Sequence, residues 1–110
     1  MTSLALERCA KGQRGIRLDD AEIAALLHQI PEWATENGLL IRTYLFGDHY
    51  QTLAFVNAAA WVSHTEDHHP ELHIGYNRCR VEYSTHDCNG LSRKDFICAA
   101  KLEKLYGERN

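Results

Sequence analysis

Asp48-His49-Tyr50-Gln51-Thr52-Leu53-Ala54-Phe55-Val56-Asn57-Ala58-Ala59-Ala60-Trp61-Val62-Ser63-His64-Thr65-Glu66-Asp67-His68-His69-Pro70 is the stretch from which the rest of the chain can be read. Asp48 with Gln51 three residues on has the form of a capping box, so a helix opens here. Pro70 biases His69 away from helical backbone, so the helix closes at about Glu66 or Asp67. Between Leu53 and Val62 only Asn57 is polar. At about 100° per residue, Leu53, Val56 and Ala60 form one apolar stripe, and Phe55, Ala58 and Val62 an opposed one. A small domain cannot cover both, so the second stripe is expected to pack on another subunit. By the same spacing Tyr50, Asn57, Trp61, His64 and His68 share a quadrant, which would aim His64 and His68 at one place.

Outward from this helix the pattern is regular. Asp19-Asp20-Ala21-Glu22 is a second capping box, followed by Ile23, Leu26, Leu27 and Ile30 at helical spacing and ended by Pro31. Trp33 to Thr35 is a short candidate strand, and Glu36-Asn37-Gly38 supplies hairpin chemistry. Leu39 to Phe46 returns as a strand that is apolar on both parities, hence central or covered on both faces. After Pro70, Glu71 to Tyr76 reads as a strand with Asn77-Arg78 as a turn. Cys79 to Ser84 alternates, with Cys79, Val81 and Tyr83 inward. Asn89-Gly90 turns the chain, and Ser92-x-x-Asp95 caps a last helix with Cys98, Ala99, Leu102, Leu105 and Tyr106 inside. Helix, two strands, helix, two strands, helix predicts an α+β fold: a four-stranded antiparallel sheet with three helices packed on one face.

The chain has 110 residues, 45% hydrophobic and 25% charged, which is one ordinary globular domain. No apolar run approaches the length of a membrane span, and no secretory h-region opens the chain. Cys9, Cys79, Cys88 and Cys98 are scattered, with no Cys-x-x-Cys, and read as reduced thiols of a cytoplasmic protein. Residues 1–17 carry four bases against one acid, and the remainder eight bases against fourteen acids. Residues 1–17, with the apolar Leu4-Ala5-Leu6 and glycines at 12 and 15, are expected to be a flexible arm, and 18–110 the single domain. Four bases on an arm, with no basic face behind them, argue against nucleic acid as a partner.

Four of the seven histidines fall between residues 64 and 73, and His86 follows in Ser84-Thr85-His86. Imidazoles titrate near neutral pH and can both give and take protons. They also ligate metals, and His64, His68, His69, His73, His86 and Cys88 have the softness that zinc or nickel prefers. Adjacent His68 and His69 send their rings apart, however, and no Cys-x-x-Cys or His-Glu-x-x-His anchors a metal site. A His-rich metal-binding protein is therefore the lesser alternative. His28, His49 and His73 read as solvated.

The combination Asp67-His68-His69-Pro70-Glu71, Ser84-Thr85-His86 and Gly90-Leu91-Ser92-x-x-Asp95 resembles the pterin-4a-carbinolamine dehydratase family, known in animals also as a dimerization cofactor of a homeodomain transcription factor. The resemblance runs from about Leu18 to Tyr106. It implies dehydration of a 4a-hydroxytetrahydropterin to the quinonoid dihydropterin, recycling the pterin of aromatic amino-acid hydroxylases, with no metal and no organic cofactor. It implies a catalytic set of His68, His69 and His86, with Asp67, Ser84 and Thr85 near the bound pterin and Trp33 at the rim of the pocket. The family's frequent glutamate four residues before the histidine pair is His64 here, which can still hydrogen-bond a pterin edge. His69 and His86 are the favoured proton-transfer pair, with acid and base left unassigned between them. The resemblance also implies a homodimer or homotetramer, built through the central helix and a sheet edge. The alternative to an enzyme is a module that only stabilises a partner's oligomer, as the animal relatives do.

Overall fold

The computed structural model describes residues 3–9 and 15–108. Helix α1 (Asp20–Leu27) opens as its sequence predicts: Glu22 N–H donates to Asp19 Oδ1 at 2.8 Å, and Asp19 N–H donates to Glu22 Oε1 at 3.0 Å. Strands β1 (Ala34–Glu36) and β2 (Leu39–Leu45) form a hairpin. Its two-residue turn places Asn37 at φ 52° and Gly38 at φ 80°, the left-handed pair that matches strand twist.

Helix α2 (His49–Glu66) follows, then β3 (Glu71–Ile74), β4 (Arg78–Tyr83) and α3 (Arg93–Glu108). The sheet order is β1-β2-β4-β3, antiparallel throughout, so the fold is the α+β arrangement of three helices and four strands read from the sequence. β3 is shorter than expected, because Gly75 to Asn77 form the turn, with Gly75 N–H donating to Arg78 O at 2.8 Å.

The register puts Leu40 opposite Tyr83 and Tyr44 opposite Cys79, and these with Val81 are wholly buried on one face. β2 is central as expected, yet it is covered on that face only: Leu45 is 62% exposed. A single layer of helices accounts for this, since nothing among the described residues covers the other side of the sheet.

Within α2 the structure reverses the expected roles of the two apolar stripes: Phe55 and Val62 of the second face the core, and Leu53 and Ala60 of the first stay uncovered. Thr52, Phe55, Ala59 and Glu66 are buried, with Val56 and Val62 packed partly against the core. Leu53 remains 40% exposed, Trp61 70% and Tyr50 84%. The N-terminal cap of α2 is made from one side only. Gln51 N–H donates to Asp48 Oδ1 at 2.8 Å, whereas the Gln51 side chain accepts from Gly47, one residue earlier than a reciprocal box requires.

Residues 3–9 correct the expectation of a flexible arm. Leu4–Leu6 is a turn of 3₁₀ helix, and Leu4 is 1% exposed in the core beside α3. Glu7 and Arg8 have fixed partners. Arg93 grips both oxygens of Glu7 at 2.7 and 2.8 Å, and Arg8 Nε donates to Glu66 at 2.8 Å. Glu66 also accepts from the Cys9 amide at 2.8 Å, and Lys101 Nζ donates to Ala5 O at 2.7 Å. Composition suggested a solvated arm because it counts charges and cannot show their partners. Lys11, Gly12 and Arg14 lie outside the described residues. No helix among the described residues is long and apolar enough to cross a membrane.

Candidate active site

The C-terminus of α2 shapes the site. Asp67 takes the left-handed conformation (φ 52°, ψ 43°), which Asp tolerates because its short side chain bonds locally. The amides of Asp67 and His68 both turn back to Ser63 O, closing the helix in a Schellman-like cap. This reversal takes His68 out of the helical phase and directs it inward. Its ring lies nearly parallel to Tyr83 (9°, centroids 5.9 Å), and its side chain is 12% exposed.

His68 Nε2 then meets Asp95 Oδ1 at 2.6 Å. Asp95, in the first turn of α3, is fully buried. Its other oxygen accepts from Thr85 Oγ1 at 2.7 Å and from Ser92 N–H at 3.0 Å. Because the Thr85 proton is committed to Asp95, the Ser92 hydroxyl donates to Thr85 Oγ1 at 2.8 Å. Every donor around the carboxylate is thus accounted for, and a carboxylate that only accepts puts the ring proton of His68 on Nε2. Gly15 covers this network so closely that a Cβ there would stand 2.7 Å from Thr85 Cγ2 and 3.1 Å from Ser92 Oγ.

After β4, a 3₁₀ turn (His86–Cys88) presents His86, and Asn89 at φ 53° ends it. Thr85 N–H donates to Gly90 O at 2.9 Å and fixes the base of this turn. Asp67, His68 and His69 from one side and Ser84, Thr85 and His86 from the other line one cleft of ≈ 1220 Å³. His69 and His86 are exposed to it. The cleft is open and polar, and large enough to seat a bicyclic heterocycle.

Two expected site residues are elsewhere. His64 is exposed on α2, its ring 5.7 Å from that of Trp61, and does not line the cleft. The left-handed Asp67 separates it from His68, which pure helical spacing would not foresee. Trp33 is 4% exposed and donates its indole N–H to Glu103 at 2.8 Å, so it is a core residue. Its link to the site is indirect, through Tyr83, whose ring centroid is 6.0 Å away.

Several groups in or behind the cleft are not among the expected site residues. Asp95 and Ser92, buried behind the cleft, enter the sequence reading as a helix cap and as part of the Gly90-Leu91-Ser92-x-x-Asp95 motif, without a role in the site. His73, read as solvated, lines the cleft with Nε2 3.2 Å from Glu82. Arg80, at 2.8 Å, holds the Glu82 carboxyl below the usual carboxylate range. Lys94 adds a cation to the lining. Among the described residues no three His, Cys, Asp or Glu side chains converge as metal ligands would.

Known proteins share both the sequence and the fold. The profile of the pterin 4 alpha carbinolamine dehydratase family matches residues 16–105. A Dechloromonas aromatica protein named as a pterin-4-alpha-carbinolamine dehydratase is 51% identical over 104 residues, covering 94% of this chain and 93% of its own. A Xanthomonas oryzae protein of the same name is 55% identical over 94 residues, 84% of this chain and 80% of its own. The crystal structure of a transcriptional coactivator/pterin dehydratase from Brucella melitensis superposes with a TM-score of 0.81 at 30% identity, covering 84% of this chain and all of that one. With a cleft built from the Asp-His-His-Pro and Ser-Thr-His segments, on this fold and at these identities, the chain belongs to the pterin 4 alpha carbinolamine dehydratase family.

Proposed function

We propose that the protein dehydrates a 4a-hydroxytetrahydropterin to the quinonoid dihydropterin, and that His68, His69 and His86 carry the chemistry. The observation that supports this most is the convergence of the three imidazoles on one cleft, one of them fixed by a buried carboxylate. In the reaction the C4a–O bond breaks as the departing hydroxyl takes a proton and leaves as water. N5 loses its proton, and the nitrogen electron pair closes the C4a=N5 double bond. The step is redox-neutral and moves one proton in each direction, which suits imidazole, a group that can both give and take a proton.

His69 and His86 face the cleft and exchange these protons. His68 has its Nε2–H committed to Asp95, so Nδ1 is the nitrogen left to orient the substrate. Asp67, Ser84 and Thr85 frame the same space. The natural source of the carbinolamine is an aromatic amino-acid hydroxylase, whose pterin the reaction would return to its cycle.

A second copy of the chain completes the proposal. Tyr50, Leu53 and Trp61 expose one apolar stripe along α2, and such a stripe on a small protein is characteristic of a self-association surface. Purified protein should accelerate carbinolamine dehydration in a coupled hydroxylase assay followed by pterin absorbance. No acceleration at micromolar protein would refute the enzymatic reading.

A further inference from the structure

Two cysteines the site does not use lie against each other. Cys9, at the end of the docked N-terminal segment, has its Sγ 4.0 Å from Cys98 Sγ in α3. The residues are 7% and 0% exposed, and all four cysteines of the chain are free thiols. They are separated by most of the sequence, so the contact is a product of the fold. A disulfide needs about 2.05 Å between sulfurs, so the pair must close by about 2 Å on oxidation.

We propose that Cys9 and Cys98 are a redox-active pair that closes to an intramolecular disulfide, clamping the N-terminal segment onto α3. The partner is a low-molecular-weight disulfide such as oxidised glutathione. The Cys9 thiolate attacks one of its sulfurs, forming a mixed disulfide and expelling one glutathione thiolate. The Cys98 thiolate then attacks Cys9 Sγ and expels the second. Two protein thiols are oxidised to one disulfide, one glutathione disulfide is reduced to two thiols, and the two protons pass to the departing thiolates.

The order of attack follows from position. Cys9 ends the N-terminal segment, which is held by the Glu7–Arg93 and Arg8–Glu66 pairs, so local lifting of that end, short of global unfolding, exposes it. Cys98 lies beneath it on the helix, with its thiol within reach of both Cys9 Sγ and His68 O. The contact with Cys98, with Lys94 and Lys101 nearby, lowers the Cys9 thiol, while burial and Glu66 oppose the shift. The Cys9 contact and burial push Cys98 upward. Lying deeper than Cys9 and on the helix rather than the peripheral segment, Cys98 is the resolving thiol. It also sits one turn beyond Asp95 and approaches His68 O at 4.0 Å, so the clamp lies directly under the His68–Asp95 pair.

The test is to incubate the full-length protein with oxidised glutathione, block the remaining thiols and map peptides without reduction. The expected product is a Cys9–Cys98 peptide link in a monomeric chain, with the intact mass lower by two hydrogen atoms and Cys79 and Cys88 still alkylated. The melting temperature should rise on the order of 10 °C, because a bridge closing so long a loop restricts the unfolded chain, and dithiothreitol should reverse it. Cys98→Ser should instead trap glutathione on Cys9. Glutathione on Cys88 alone, or four thiols still titrating after oxidation, would overturn the proposal. Peptide mapping of the unaltered chain decides the matter even if the variant is unstable.

Discussion

His68 Nε2 and Asp95 Oδ1 are 2.6 Å apart, joining the end of the central helix to the first turn of the last one. This contact ties the site to the core. Asp95→Asn should keep an acceptor for Ser92 N–H yet present an amide where His68 now finds a carboxylate, releasing the ring from its fixed tautomer. The expected result is a loss of roughly 10- to 100-fold in turnover, with little change in the affinity of an unreactive pterin. Steady-state rates beside a fluorescence binding titration would separate these effects.

The N-terminal segment is part of the fold, as Leu4 at 1% exposure indicates. Leu4→Ala should therefore destabilise the protein by about 2–4 kcal/mol, the range for emptying a packed leucine site. Urea unfolding measures it. A change within a few tenths of a kcal/mol would mean that residues 3–9 are loose in solution.

Acid should loosen the same segment. The Arg93 guanidinium beside Glu7 holds its carboxyl below the ordinary value of 4.5. A carboxyl whose pKa is depressed by folding contributes stability above its unfolded value and loses it as pH falls through the folded one. Wild type should thus lose about 0.5 kcal/mol more than Glu7→Gln between about pH 5 and about pH 3. Parallel unfolding curves at the two pH values would show the difference.

The uncovered stripe of α2 predicts self-association. Trp61→Glu places a charge on a residue that is 70% exposed in the single chain, so folding should survive while assembly fails. Sedimentation should then show a single-chain mass in place of the multimer expected of wild type. A wild-type protein that sediments as one chain at all concentrations would contradict this.

Much of the fold was readable locally. The Asp19–Glu22 box, the Asn37-Gly38 turn and the alternation of Cys79, Val81 and Tyr83 are each decided within a few residues, and the structure has them where the sequence places them. The histidines could be grouped but not oriented. One left-handed residue, Asp67, sends His68 inward and leaves His64 on the outer face, and that single backbone choice is invisible to helical periodicity. Asp95 was hidden by its own legibility, since a capping carboxylate already has a sufficient reason to be present. Trp33 shows the opposite case: a tryptophan matched to a pocket rim is committed instead to Glu103 in the core.

The central claim is that His69 and His86 move the protons while His68 orients the substrate. It is tested most directly by the dehydration rates of His68→Ala, His69→Ala, His86→Ala and His73→Ala in metal-chelated buffer. Substitution at 69 or 86 should cost roughly 10²-fold or more, with a smaller loss at 68, and His73→Ala should stay near wild type. Equal, small losses at all four positions, in proteins that remain folded, would contradict the account and place the chemistry elsewhere.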